Sequence, residues 1–189
     1  MDFPEHPFWD FALRVYRTPG VSAACLEVQE RLGVDVNVLL FCCWLGESGR
    51  GAVSRATLAQ ARESVASWHE SVVKPMRSVR RVLKDGIASA PSELAQALRA
   101  QIQAREIDAE HIEQLMLAAS VAALGVTAGI AEDGRAEHAV SNVGIYVQSL
   151  GVTPTASDRA ALGRIVAAAF PGCARESIEA KLSSLAPAG

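Results

Sequence analysis

The chain predicts an all-α fold, a single-domain bundle of about eight helices, on three observations. Of its 189 residues, 33 are alanine, half are hydrophobic and only 5% are aromatic, a balance that favours helix over sheet. Apolar residues recur three and four apart through most of the length. Gly and Pro cut that pattern into stretches of helical size. A chain of this length can bury a core as one domain, residues 1–189, without disulfides or metal. Its 18 basic and 21 acidic residues give a net charge of −3 and a pI near 5.8. That balance excludes a disordered chain and a globally basic nucleic-acid binder.

The elements follow in order. Phe8, Phe11, Ala12 and Val15 share one helical face, and Asp10 with Arg14 forms an i,i+4 pair. Thr18-Pro19-Gly20 separates this helix from a second, in which Val21, Ala24, Cys25, Val28 and Leu32 line one side and Gly33 is the stop. Between Val34 and Leu45, alternating Val34, Val36 and Val38 look strand-like, but Asp35 as a cap and the later apolar residues predict a helix. Being apolar all round, it should be the central, buried one. Gly46 to Gly51 reads as a loop, and Ser54 caps a long helix to about Asp85, kinked or broken near Val73 by Pro75. Gly86 to Pro91 turns the chain. Ser92 to about Val126 reads as another long helix, with Asp108 a place for a fresh start, and Glu132 to Arg135 as a polar hinge. Helices near 136–150, 156–170 and 174–185 complete the pattern.

Leu115 to Ala131 is a 17-residue run without charge that contains Gly125-x-x-x-Gly129. It is shorter than the roughly 20 strongly apolar residues of a membrane span and reads as a buried helix with no span. Its small residues would let another helix approach closely, so a homo-oligomer through Gly125 and Gly129 is one expectation. The four cysteines, Cys25, Cys42, Cys43 and Cys173, form no Cys-x-x-Cys pair, and the opening residues lack a secretory signal. Free thiols in the cytoplasm are expected. Cys173 follows Pro-Gly at a helix start, where the dipole would lower its pKa.

Charge placement is the strongest local signal. Lys74, Arg77, Arg80, Arg81 and Lys84 are five cations in eleven residues, without an acid among them. At 100° per residue they fall within an arc of about 120°. Such a stripe can meet an acidic protein surface, a phosphate-bearing ligand or nucleic acid. It can also be matched internally, since Glu106, Glu110 and Glu113 repeat at i, i+4 and i+7 with Asp108 nearby. The aromatic residues are the second signal: Trp9, Tyr16, Trp44 and Trp68 are anchors for a pocket or interface, or simply large core residues. No metal site is expected. Asp108-x-x-His111 is a single chance spacing, and His6, His69 and His138 share no ligand spacing with it. No phosphate-binding loop, dinucleotide fingerprint or nucleophile elbow is found, so no catalytic residue and no cofactor is assigned.

Two blocks carry a likeness to known proteins. One is Phe8-Trp9-Asp10-Phe11 with Tyr16, Val21 to Gly33, Val36-Asn37-x-Leu39-Leu40 and Trp44. The other is Trp68, Val73 and Pro75-Met76-Arg77-x-x-Arg80-Arg81-x-Leu83-Lys84 with Glu110. Together they resemble a family of small proteobacterial proteins classed as a domain of unknown function, most specifically over residues 8–113. The resemblance implies a helical bacterial protein with a core of about 8–150 and further helices at about 156–185. It supplies no activity, cofactor or catalytic residue. The function expected is therefore a non-enzymatic interaction module that contacts an acidic protein partner through Lys74 to Lys84. The alternative is a bundle, a binding protein or an enzyme, that takes a phosphate-containing small molecule or lipid head group in a pocket lined by the four aromatic residues with the cationic stripe at its mouth. Nucleic acid ranks last among the partners.

Overall fold

The computed structural model describes residues 3–184. Its helices are α1 (Pro7–Tyr16), α2 (Val21–Leu32), α3 (Val36–Glu47), α4 (Arg55–Trp68), α5 (Lys74–Asp85), α6 (Ser92–Ser120), α7 (Glu132–Ser149), α8 (Ala156–Ala169) and α9 (Arg175–Ser184). A π turn, His69–Val73, joins α4 to α5 in one continuous rod. Eight rods, and no strand, therefore make up the described residues, an all-α bundle as the alanine-rich composition predicts.

The starts and stops obey local chemistry. Pro7 opens α1, where its missing donor costs nothing, and the His6 imidazole accepts from Phe8 N at 3.1 Å. Ser54 accepts from Thr57 N to cap α4, and Thr155 with Asp158 forms a full capping box on α8. Gly33 ends α2 at φ +69°, a left-handed turn that resists a side chain.

The centre is α3, buried continuously from Asn37 to Gly46. It packs chiefly on α7, while α2 packs on α8 and α5 on α6. Gly46, expected in a loop, instead continues the helix. A Cβ there would lie 2.5 Å from the Arg135 carbonyl oxygen and 2.7 Å from Ala139 N, so its lack of a side chain lets α3 and α7 touch backbone to backbone.

Three further expectations are corrected. Asp108 does not restart a helix; α6 runs unbroken, and Asp108 pairs with Arg105 one turn back. The run Leu115 to Ala131 is not one helix. After Ser120 the chain leaves α6, and Gly125 and Gly129 stand on exposed loop with nothing within 4 Å of an added Cβ. Glycines and a β-branched Val-Thr pair are poor helix formers, and Thr127 N donates instead to Gly49 O at 2.9 Å. The two glycines therefore form no helix face. Finally, Glu132 to Arg135 is not a hinge but the first turn of α7, where Glu132 and Asp133 suit the helix dipole. Among the described residues no helix is long and apolar enough to cross a membrane.

Candidate functional site

Gly33 turns the chain out of α2 so that Asp35 can cap α3. Its Oδ1 accepts from Asn37 N at 2.8 Å, which leaves Oδ2 to face the interior. Opposite stands His69, whose position depends on the π turn. Pro75 has no N–H and would press on the carbonyl four residues back, so the helix ahead of it widens. Lys74 N instead donates to the His69 carbonyl, five residues back. The third member, Glu113, comes from the C-terminal third of α6 and is fully buried.

His69 Nδ1 lies 3.0 Å from Asp35 Oδ2 and 2.9 Å from Glu113 Oε1. The other Glu113 oxygen accepts from Asn37 Nδ2 at 2.7 Å, and Asn37 Oδ1 accepts from Gln114 Nε2 at 2.8 Å. Tyr146 from α7 closes the group, its hydroxyl accepting from Asp35 N at 2.6 Å. Burial opposes charge on all three central groups, with different outcomes. Desolvation would lift Asp35, but its bond to His69 prevails and holds it below the usual carboxylate range. Desolvation likewise disfavours imidazolium, yet the two carboxylates raise His69 to about 10. Glu113, the deepest, is raised to about 7 by desolvation and by the Asp35 charge, against the pull of His69.

Asp35, His69 and Tyr146 line a cavity of ≈ 500 Å³, with Glu113 behind them. Its walls hold cations, Arg62, Lys74 and Arg77, and acids, Glu63 and Glu70. Arg62 stacks over the Tyr146 ring, 5.3 Å from its centroid, and donates to Ser149 Oγ at 2.7 Å.

The basic stripe divides. Arg77 bonds Glu106 at 3.1 Å and Glu110 at 2.6 Å, and Arg80 grips both oxygens of Glu106. Glu113, the third acid of the α6 series, faces His69 instead. Lys74 pairs with Glu70 at 2.6 Å on the surface, while Arg81 and Lys84 are exposed. Lys74 and Arg77 are thus the members of the stripe that reach the cavity.

The four aromatic residues do not converge. Trp9 stacks on His111 with centroids 4.0 Å apart and planes 3° from parallel. Tyr16 is exposed. Trp44 lies in the core against Phe8, with Arg50 over its ring, and Trp68 Nε1 donates to Ala109 O at 3.0 Å. None of the four lines the cavity. All four cysteines are free thiols. Burial raises Cys25 and Cys43 to about 12. Cys173 is raised to about 11 by desolvation and by Asp133, not lowered, because it precedes α9 beside that acid.

Sequence reading missed Asp35, His69 and Glu113 as a group, for they come from a loop, a π turn and a helix with no common spacing. Two signals pointed towards them. Asn37 is a polar residue within the most apolar helix, and Pro75 marks the break that presents His69.

No curated protein and no solved structure matches the chain. Residues 7–117, however, match a family model described as a protein of unknown function, DUF2390. The match runs from α1 into the end of α6 and takes in Asp35, His69 and Glu113; since it covers more than half of the 189 residues, the chain belongs to the DUF2390 family.

Proposed function

We propose that this protein binds a small phosphate-bearing zwitterion in the cavity above Asp35 and His69. The observation that carries the reading is a concave, mixed-charge chamber whose floor is the polar cluster of Asp35 and His69 backed by the buried Glu113. Its ≈ 500 Å³ falls within the range of small-molecule sites, roughly 300–1,000 Å³. Arg62, Lys74 and Arg77 offer donors to an anionic group, and Asp35, Glu63 and Glu70 offer acceptors to a cationic one. A phosphoethanolamine-like head group has both. The four free thiols support a cytoplasmic setting for the protein.

Calorimetric titration with phosphoethanolamine and with inorganic phosphate tests the reading. Saturable one-to-one binding is expected, weakened at least tenfold, about 1.4 kcal/mol, by Arg62→Gln. Neither heat nor a shift in melting with either compound at millimolar concentration would sink it.

A second reading, contact with an acidic protein partner through α5, draws on the outer part of the stripe. Arg81 and Lys84 are exposed there beside Val79 and Val82, which are 47% and 51% exposed. Because Arg77 and Arg80 are engaged with α6, the discriminating variant is Arg81→Gln with Lys84→Gln. A captured acidic partner that this double variant still holds counts against that reading.

A further inference from the structure

We propose that Asp35, His69 and Glu113 together bind one divalent first-row metal ion, in the range from Mn²⁺ to Zn²⁺, at the floor of the cavity. The donors are two carboxylate oxygens and one imidazole nitrogen, all within 4.8 Å of one another. This set suits such ions better than Ca²⁺ or Cu⁺, since the nitrogen disfavours the first and the lack of sulfur the second.

Spacing is the first argument. Two ligands at right angles on an octahedral ion with bonds of about 2.1 Å lie about 3 Å apart. His69 Nδ1 is 2.9 Å from Glu113 Oε1 and 3.0 Å from Asp35 Oδ2. Hydrogen bonding serves both contacts only by sharing a single Nδ1 proton between two carboxylates in a three-centre bond. One cation bound by all three satisfies every close approach at once.

Support around the ligands is the second argument. Metal-binding side chains are held in place by outer hydrogen bonds. Here Asn37 Nδ2 fixes the far oxygen of Glu113, Gln114 fixes Asn37, and Asn37 N fixes the far oxygen of Asp35. In each carboxylate one oxygen is anchored and the other is directed at His69.

Access is the third. Asp35 and His69 line the cavity, so an ion can enter from it and complete its shell with water or with a bound molecule. The ion would tie together the turn before α3, the π turn and α6, reinforcing the Asn37–Glu113 and Trp68–Ala109 hydrogen bonds that already link these elements.

The full chain, stripped with chelator, is titrated calorimetrically with Mn²⁺ and with Zn²⁺ alone. One equivalent should bind the wild type. Asp35→Asn retains a helix-capping side chain, and Glu113→Gln retains an acceptor for Asn37, so both keep the fold's local bonds. Each should weaken binding by about 100-fold or more, beyond what loss of an outer partner alone costs. Should Glu113→Gln fail to fold, selective Mn²⁺ broadening of the His69 ring resonances, absent in Asp35→Asn, decides. A wild type that takes up neither ion below millimolar concentration, or binding that survives in both variants, overturns the assignment. The site shares its cavity with the proposed ligand, but the two fail separately: phosphoethanolamine is no component of this titration, and metal uptake without phosphoethanolamine binding removes the ligand reading alone.

Discussion

Asn37 Nδ2 donates to Glu113 Oε2 at 2.7 Å and joins the first turn of α3 to the C-terminal third of α6 inside the core. Glu113 is 0% exposed and Asn37 6%, so neither can turn to water for a replacement. Asn37→Ala leaves the Glu113 oxygen and the Gln114 amide without this partner. The expected loss is about 3 kcal/mol, the upper end for an orphaned buried polar group beside a charge. Urea unfolding should show it as a lower midpoint with an unchanged slope. A midpoint within error of wild type would mean that the polar chain is dispensable to the fold.

Two glycines inside helices predict opposite outcomes. An added methyl at Gly46 meets backbone, the Arg135 carbonyl at 2.5 Å and Ala139 N at 2.7 Å, and neither can yield without separating α3 from α7. Gly46→Ala should cost about 3 kcal/mol, as overpacking against a rigid wall does. At Gly163 the methyl meets the Glu179 side chain at its Cγ, and relief takes a new χ1 rotamer, which a side chain 33% exposed has room to adopt. Gly163→Ala gives up a part-buried Arg175–Glu179 pair but gains helix propensity. Its unfolding free energy should stay within about 0.5 kcal/mol of wild type.

Thiol chemistry separates the cysteines. Cys25, Cys42 and Cys43 are buried, and burial raises all three thiols. Cys173, partly exposed, is held up to about 11 by desolvation and Asp133. A disulfide reagent at mildly alkaline pH should therefore label native protein slowly and at one site, Cys173, and all four after denaturation. Rapid labelling of a second thiol in native protein would contradict the packing of α2 or α3.

The frame of the fold was legible because it rests on local rules. Asp35, Ser54, Gly33 and Pro75 each act on neighbours within one turn, and each stands where the pattern placed it. What failed needed partners distant in the chain. Gly46 reads as a loop residue until Arg135 and Ala139 are known to press on it. The uncharged run through Gly125 reads as helix, but beyond Ser120 Val121 is its one buried residue, and the chain loops out. The candidate site was hidden for the same reason. The acidic series Glu106, Glu110 and Glu113 is uniform in sequence, yet tertiary structure gives the first two to arginines and the third to His69.

That division of the α6 acids makes the last prediction. Arg77 and Arg80 are 15% and 22% exposed at the side chain and share Glu106, which is 6% exposed, while Arg81 faces solvent. Arg77→Gln and Arg80→Gln should each cost about 1–3 kcal/mol, between a surface pair and a buried one. Arg81→Gln should stay within about 0.5 kcal/mol. The acid limb carries the same signature. Desolvation would raise Glu106, but Arg80 and Arg77 outweigh it, and its folded pKa lies below the ordinary 4.5. A carboxylate so lowered stabilises the fold fully above its unfolded value, and the contribution is lost as pH falls from 4.5 through the folded value. Glu110 works in the opposite sense, since desolvation raises it and protonation is easier in the folded state. Glu106→Gln should therefore flatten the fall in stability below pH 4.5, whereas Glu110→Gln should leave it as steep or steeper. Urea midpoints measured from neutral pH down through this window check both signs, and an unchanged acid limb in Glu106→Gln would show that the pairing of Glu106 with Arg77 and Arg80 carries no net stability.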